Sequence, residues 1–216
     1  MSIRQKKTVR SLLSLMVLLA MMGTTAFAGE TVAFTDVSGH WAQDYIGDAA
    51  QRQLAKGYNG LYRPDDSMTR AEMVTMLWRA MGEPKPTKAA SFTDLTQDWY
   101  KDAVAWAEEQ NVVNGIGNGK FGPDGNVTRE QLAAILHRLA GGAVTMEVML
   151  LSSIYDDFFT DVDKVSDYAK NSVYWCVAYE VYCGVTAENT GKTLAPKADA
   201  TRGQIAVMLV RFLDRE

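Results

Sequence analysis

Three stretches of the chain carry apolar residues at i, i+3 and i+4: Met73, Met76 and Leu77; Leu132, Ile135 and Leu136; Ile205, Met208 and Leu209. That spacing places each trio on one face of a helix, the face that must be buried. A threonine opens each stretch, in Thr69-x-x-Glu72, Thr128-x-x-Gln131 and Thr201-x-x-Gln204. This is the capping-box pattern, in which the threonine oxygen and the Glu or Gln side chain satisfy backbone N–H groups reciprocally. The residue before each threonine (Met68, Val127, Ala200) is apolar, as in a hydrophobic staple. Upstream, Ile46 and Ala49, Val104 and Ala107, and Val173 and Cys176 predict an earlier helix in each case. Gly57, Gly115 and Gly184 follow and are expected to stop those helices by accepting positive φ. An aromatic residue or Leu (Tyr62, Phe121, Leu194) then precedes Pro64, Pro123 and Pro196, each five residues before its threonine. The pattern predicts an all-α fold of three helix-loop-helix units.

Further motifs confirm a threefold repeat, the feature on which the whole architecture turns. Phe34-Thr35-Asp36-Val37 recurs as Phe92-Thr93-Asp94-Leu95 and Phe159-Thr160-Asp161-Val162. Seven residues after the first two phenylalanines stand Trp41 and Trp99, and nine after the third stands Tyr168. The units span residues 29–82, 91–141 and 158–216, the third being the most divergent. Between them lie a short Pro-containing linker, 83–90, and an insertion, 142–157, apolar enough to add a turn of helix.

Residues 1–28 read as a secretory signal peptide: a basic start, an apolar run over Leu12–Met22, and Ala26-Phe27-Ala28 before the cut. The run is short for a bilayer span of roughly 20 residues, so no transmembrane segment is expected after cleavage. Cleavage removes four of the 22 basic residues and no acidic one, taking the net charge from −4 to −8. Such an acidic chain is a poor partner for nucleic acid, which needs basic patches. Cys176 and Cys183, if on one helix, stand about 10 Å apart, beyond the ~7 Å reach of a disulfide. They are read as packing residues, and no metal-ligand spacing or cofactor motif is present.

Arg70, Arg129 and Arg202 each occupy the first helical position, where the helix dipole favours an acidic residue instead. One explanation is a nearby carboxylate, Asp65 or Asp36 for the first copy; another is an arginine stem covering apolar surface. A third is an anion site, in which free N–H groups of the helix start and a guanidinium fork share a carboxylate or phosphate. Trp41 or Trp99 would then offer a face on which a sugar ring stacks, unless both are core residues. That combination suggests an acidic sugar polymer.

The ordered motifs F-T-D-V, H-W-A, the glycine loop and T-R-A-E resemble the S-layer homology repeat over nearly all of the chain after residue 28. The resemblance implies a pseudo-threefold bundle with grooves between neighbouring repeats. It further implies non-covalent attachment to cell-wall polysaccharide, often pyruvylated, on a secreted protein of the bacterial envelope. The ligand contacts it implies are Arg70, Arg129, Arg202, Trp41, Trp99, Gly57 and Gly115, with Asp36 and Asp94 as candidates beside them. Copies one and two are expected to bind better than copy three, which has Tyr168 for Trp and Ala187-Glu188-Asn189-Thr190 where a glycine-rich loop is expected. The chain reads as an anchor module, not an enzyme: His40 and His137 stand in no catalytic motif, and Asp156, Asp157, Asp161, Asp163 and Asp167 lack the EF-hand glycine and final glutamate. Another envelope protein is a further possible partner, and a module with decayed sugar grooves is the alternative function.

Overall fold

The computed structural model describes residues 34–182, 184 and 193–215. The signal-peptide segment, Cys183 and residues 187–190 lie outside the described residues. Seven α-helices are described: α1 Gln43–Gln51, α2 Arg70–Ala80, α3 Lys101–Glu109, α4 Arg129–Leu139, α5 Met146–Phe158, α6 Lys170–Ala178 and α7 Arg202–Asp214. No named strand occurs among the described residues, so the all-α expectation holds. None of these helices is long and apolar enough to cross a membrane.

The two helices of a repeat do not form the main packing pairs. Instead α2 of the first repeat packs on α3 of the second, α4 of the second on α6 of the third, and α7 of the third back on α1 of the first. The three repeats thereby close into a ring. The aligned apolar positions fill it: Ile46, Val104, Val173, Ala49, Ala107 and Cys176 are all fully buried, as are the trios on α2, α4 and α7. Cys176 is a free, buried thiol under α4, with its Sγ 3.7 Å from the Ala133 carbonyl oxygen, which bears out its packing role.

All three capping boxes are formed, on Thr69, Thr128 and Thr201. The apolar residues before them meet at the centre of the ring. Met68 N–H donates to Ala200 O at 3.2 Å, Ala200 N–H to Val127 O at 2.8 Å, and Val127 N–H to Met68 O at 3.1 Å. This closed triangle of backbone bonds is fully shielded from water, where an unmet N–H would be costly.

The glycines do not end the first helices as expected. α1, α3 and α6 stop several residues earlier, and the left-handed residues after them are Gln53, Asn111 and Glu180, at φ 60°, 55° and 56°. Gly57 and Gly115 serve close packing. A Cβ on Gly57 would stand 2.4 Å from the Leu61 carbonyl oxygen and 2.4 Å from the Phe34 ring. On Gly115 it would meet the Lys120 carbonyl oxygen at 2.5 Å and the Phe92 ring at 2.8 Å.

The insertion is more than a turn: α5 has 13 residues and a Thr145 cap. It packs on α6 through Val148 and Tyr155, while Met146, Met149, Leu150 and Ile154 face solvent.

Candidate functional site

The F-T-D aspartates build the loop that the site rests on. Asp36 accepts the N–H groups of Tyr62 and Arg63 at 2.8 and 2.6 Å; Asp94 accepts those of Phe121 and Gly122, both at 2.8 Å. Asp161 does the same for Leu194 and Ala195. Desolvation pushes the Asp36 and Asp94 carboxyls upward, but the backbone N–H bonds and the nearby Arg63 and Lys120 charges outweigh it and hold both below the usual carboxylate range. Because their folded-state values are depressed, their contribution to stability is complete above the ordinary value near 3.8 and is lost as pH falls through the folded values. The thermal midpoint should therefore stay flat down to about pH 4 and drop below it. Asp94→Asn should lower the midpoint at neutral pH and make its acid limb shallower.

The first-turn arginines reach across to the next repeat. Arg70 is 7% exposed; its Nε donates to Phe121 O at 3.1 Å and its Nη2 to Asn114 O at 3.0 Å, with the guanidinium 4.8 Å above the Phe121 ring. Arg129 bonds Leu194 O and covers Tyr182; Arg202 bonds Tyr62 O and Lys56 O and covers Tyr62. None of these bonds goes to Asp65 or Asp36, the carboxylates the sequence suggested for Arg70.

Nor are the helix N–H groups open to a ligand. Arg70 and Ala71 donate to Gly125 O and Pro123 O, Arg129 and Glu130 to Ala198 O and Pro196 O, and Arg202 and Gly203 to Asp66 O and Pro64 O. The threonine caps take the next donor in each helix. Carbonyl oxygens of the neighbouring repeat therefore answer the dipole, and the same loop answers the arginine. The free N–H groups on which an anion site would rest are thus spent within the protein.

Two clefts border Arg70 and Arg202. The first, about 350 Å³, is lined by Arg70, Asn114, Gly115, Gln131, Arg138 and Tyr168, with apolar Ile116, Ala134 and Ile135. The second has the equivalent lining from the other repeats: Arg202, Lys56, Glu72, Arg79, Trp99, Thr75 and Met76. It measures about 210 Å³ and adjoins a 230 Å³ hollow at Gly57, Tyr58 and Arg63 that shares Lys56, Tyr62, Glu72 and Arg202 with it. Each cleft thus draws on all three repeats: the arginine of one, the loop and second helix of the next, and the aromatic of the third.

The aromatic residues of the repeated motif are surface groups rather than core, with Trp41, Trp99 and Tyr168 exposed to 44%, 51% and 55%; Trp99 and Tyr168 line the clefts. Tyr168 is held by Glu130, which accepts from its hydroxyl at 3.1 Å, from Ser166 N–H and Oγ, and from Lys197 Nζ at 2.7 Å. Desolvation first, and the Glu130 charge second, push the Tyr168 hydroxyl up to about 12, so it is a neutral donor under all ordinary conditions.

The structure brings Arg70 together with Gly115, and Arg202 with Trp99 and Gly57. Trp41 is not among the residues lining the Arg70 cleft, and Asp36 and Asp94 spend their oxygens on the loop. Trp41 and Arg129 line neither cleft; Trp41 follows His40, whose ring comes within 3.2 Å of where a Cβ on Gly203 would stand. Missed from sequence were Arg79 and Arg138, one in each cleft, although each follows its first-turn arginine by nine residues, as Arg211 follows Arg202. His137 and Ser172 hydrogen-bond at 3.0 Å, but both are buried and the other ring nitrogen contacts the Ala143 carbonyl oxygen, a packing contact between α4 and α6.

The sequence matches the S-layer homology domain over residues 33–74, 91–133 and 158–206. Similar proteins include an endoglucanase of Bacillus sp. (strain KSM-635), 32% identical over 99% of this chain and 23% of its own length. An amylopullulanase of Thermoanaerobacterium thermosulfurigenes is 29% identical over 84% of this chain and 10% of its own. S-layer protein sap of Bacillus anthracis is 32% identical over 61% of this chain and 16% of its own. The chain spans less than a quarter of each, so the similarity concerns one part of much longer proteins. With three matched repeats closed into one ring, the chain belongs to the S-layer homology domain family.

Proposed function

We infer that the chain attaches to cell-wall polysaccharide by taking acidic sugar units into the clefts between its repeats. Family membership makes it a secreted envelope protein attached at the wall; the acidic polymer is the finer reading. The observation that carries it is the cleft on Arg70. There a guanidinium is oriented by two carbonyl oxygens, a second cation, Arg138, lines the same cleft, and Tyr168 offers a half-exposed ring. Fixed guanidinium groups recognise carboxylates geometrically, and an aromatic face with a polar tip suits a sugar ring.

Detergent-extracted, protein-free walls should sediment the protein, and walls stripped of their secondary polymer should not. Unchanged sedimentation on stripped walls would overturn the reading. A second reading, a surface for another envelope protein, draws on the solvent-facing apolar side of α5; binding that needs wall proteins and ignores the polymer would favour it.

A further inference from the structure

The two clefts share a plan but differ at one position of the capping box, Gln131 in the Arg70 cleft and Glu72 in the Arg202 cleft. In the Arg202 cleft every guanidinium nitrogen is engaged: Nε by Tyr62 O, Nη2 by Lys56 O, and Nη1 by Glu72 Oε1 at 3.6 Å. In the Arg70 cleft, Nε and Nη2 are engaged in the same way, no carboxylate pairs with Nη1 among the described residues, and the neutral Gln131 lines the hollow at the position equivalent to Glu72. Among the described residues neither Arg70 nor Arg138 has a carboxylate within ion-pair distance. The carboxylate that acts on Arg70 electrostatically, Asp94, has both oxygens on backbone N–H groups.

We propose that the Arg70 cleft takes the acidic sugar unit, and that Glu72 bars that unit from the Arg202 cleft. The proposal rests on the sugar-binding reading above. An arriving carboxylate must displace Glu72 from Nη1 and then sit beside its negative charge, whereas at Arg70 it meets two cations and an amide. Net charge does not set the difference, since the Arg202 cleft also holds Arg79 and Lys56. Arg79 has Glu83 at 3.9 Å, and Lys56 is an exposed residue that water screens. The contest is local, at Nη1.

Glu72→Gln is a clean probe, because Gln131 and Gln204 complete the same capping box in the other repeats. The amide signals of Gly115 and Gly57 report the two clefts separately in a ¹⁵N-correlated titration with a 4,6-O-pyruvylated hexosaminide and its unpyruvylated parent. In the unaltered protein the pyruvylated sugar should shift Gly115 well before Gly57. Glu72→Gln should strengthen binding at Gly57 about tenfold, the equivalent of about 1.4 kcal/mol. Gln131→Glu should weaken binding at Gly115 by a similar factor. Equal binding at both glycines in the unaltered protein, or no response to Glu72→Gln, overturns the proposal and leaves the sugar reading standing. No shift at either glycine in any variant overturns the sugar reading itself.

Discussion

Gly115→Ala should destabilise the protein by about 3 kcal/mol or more, the upper range for an overpacked site. In a domain of this size that lowers the thermal midpoint by roughly 10 °C. The added methyl would have to occupy space 2.5 Å from the Lys120 carbonyl oxygen and 2.8 Å from the Phe92 ring, and backbone cannot step aside as a flexible side chain can. The Phe92 ring packs in turn on Phe121 at 5.5 Å, so the displacement would reach the residue over which Arg70 lies. Gly57→Ala should behave alike through Phe34 and Tyr62, whose rings are 5.3 Å apart. By contrast, Gly60, with nothing within 4 Å of a built Cβ, should show only the modest strain of its positive φ. Urea unfolding of the three variants side by side checks the ranking.

Arg70→Ala should cost about 3 kcal/mol of folding stability, before any ligand is considered. It removes two hydrogen bonds from a charged donor, each worth roughly 1.5–3 kcal/mol. It also leaves Phe121 O and Asn114 O without these donors beside a ring that has lost its cation. Arg70→Lys should recover only part of this, since an ammonium cannot span both carbonyl oxygens in the guanidinium's fixed fork. The measurement is a denaturant midpoint for both variants in the absence of sugar. A loss below about 0.5 kcal/mol for Arg70→Ala, the scale of an ordinary surface change, would contradict the arginine's role in joining repeats. It follows that lost wall binding in an Arg70→Ala variant is weak evidence for a sugar contact. Arg138 and Tyr168, both at the cleft surface, are the better probes.

The helices and their caps were legible because each is a local signal: 3.6-residue periodicity and a side chain bonding three residues away. The buried trios on α2, α4 and α7 and all three boxes appear where the pattern put them. Which helix packs on which was not legible. Periodicity marks a buried face without naming what covers it, so the exchange of partners around the ring required the fold itself. The arginine was flagged as misplaced by its charge, but its partners are main-chain carbonyls, which leave no trace in side-chain identity. Gly57 and Gly115 were noticed for the wrong property, positive φ, when the need was the absence of a Cβ. The aromatic residues were found, but nothing in the sequence said which arginine each would meet. Ring closure sends Trp99 to Arg202 and Tyr168 to Arg70. Tyr168 thus belongs to the cleft of Gly115, so the divergence of the third repeat does not confine itself to a third site.

The most direct measurement is the affinity of the protein for purified secondary wall polymer, by titration calorimetry, with and without Arg138→Gln and Tyr168→Ala together. Both side chains line the Arg70 cleft and neither is a fully buried core residue, so the thermal midpoint should change little. The expected result is a loss of affinity of at least about tenfold, or about 1.4 kcal/mol, with folding intact. Unchanged affinity in a folded double variant would contradict it.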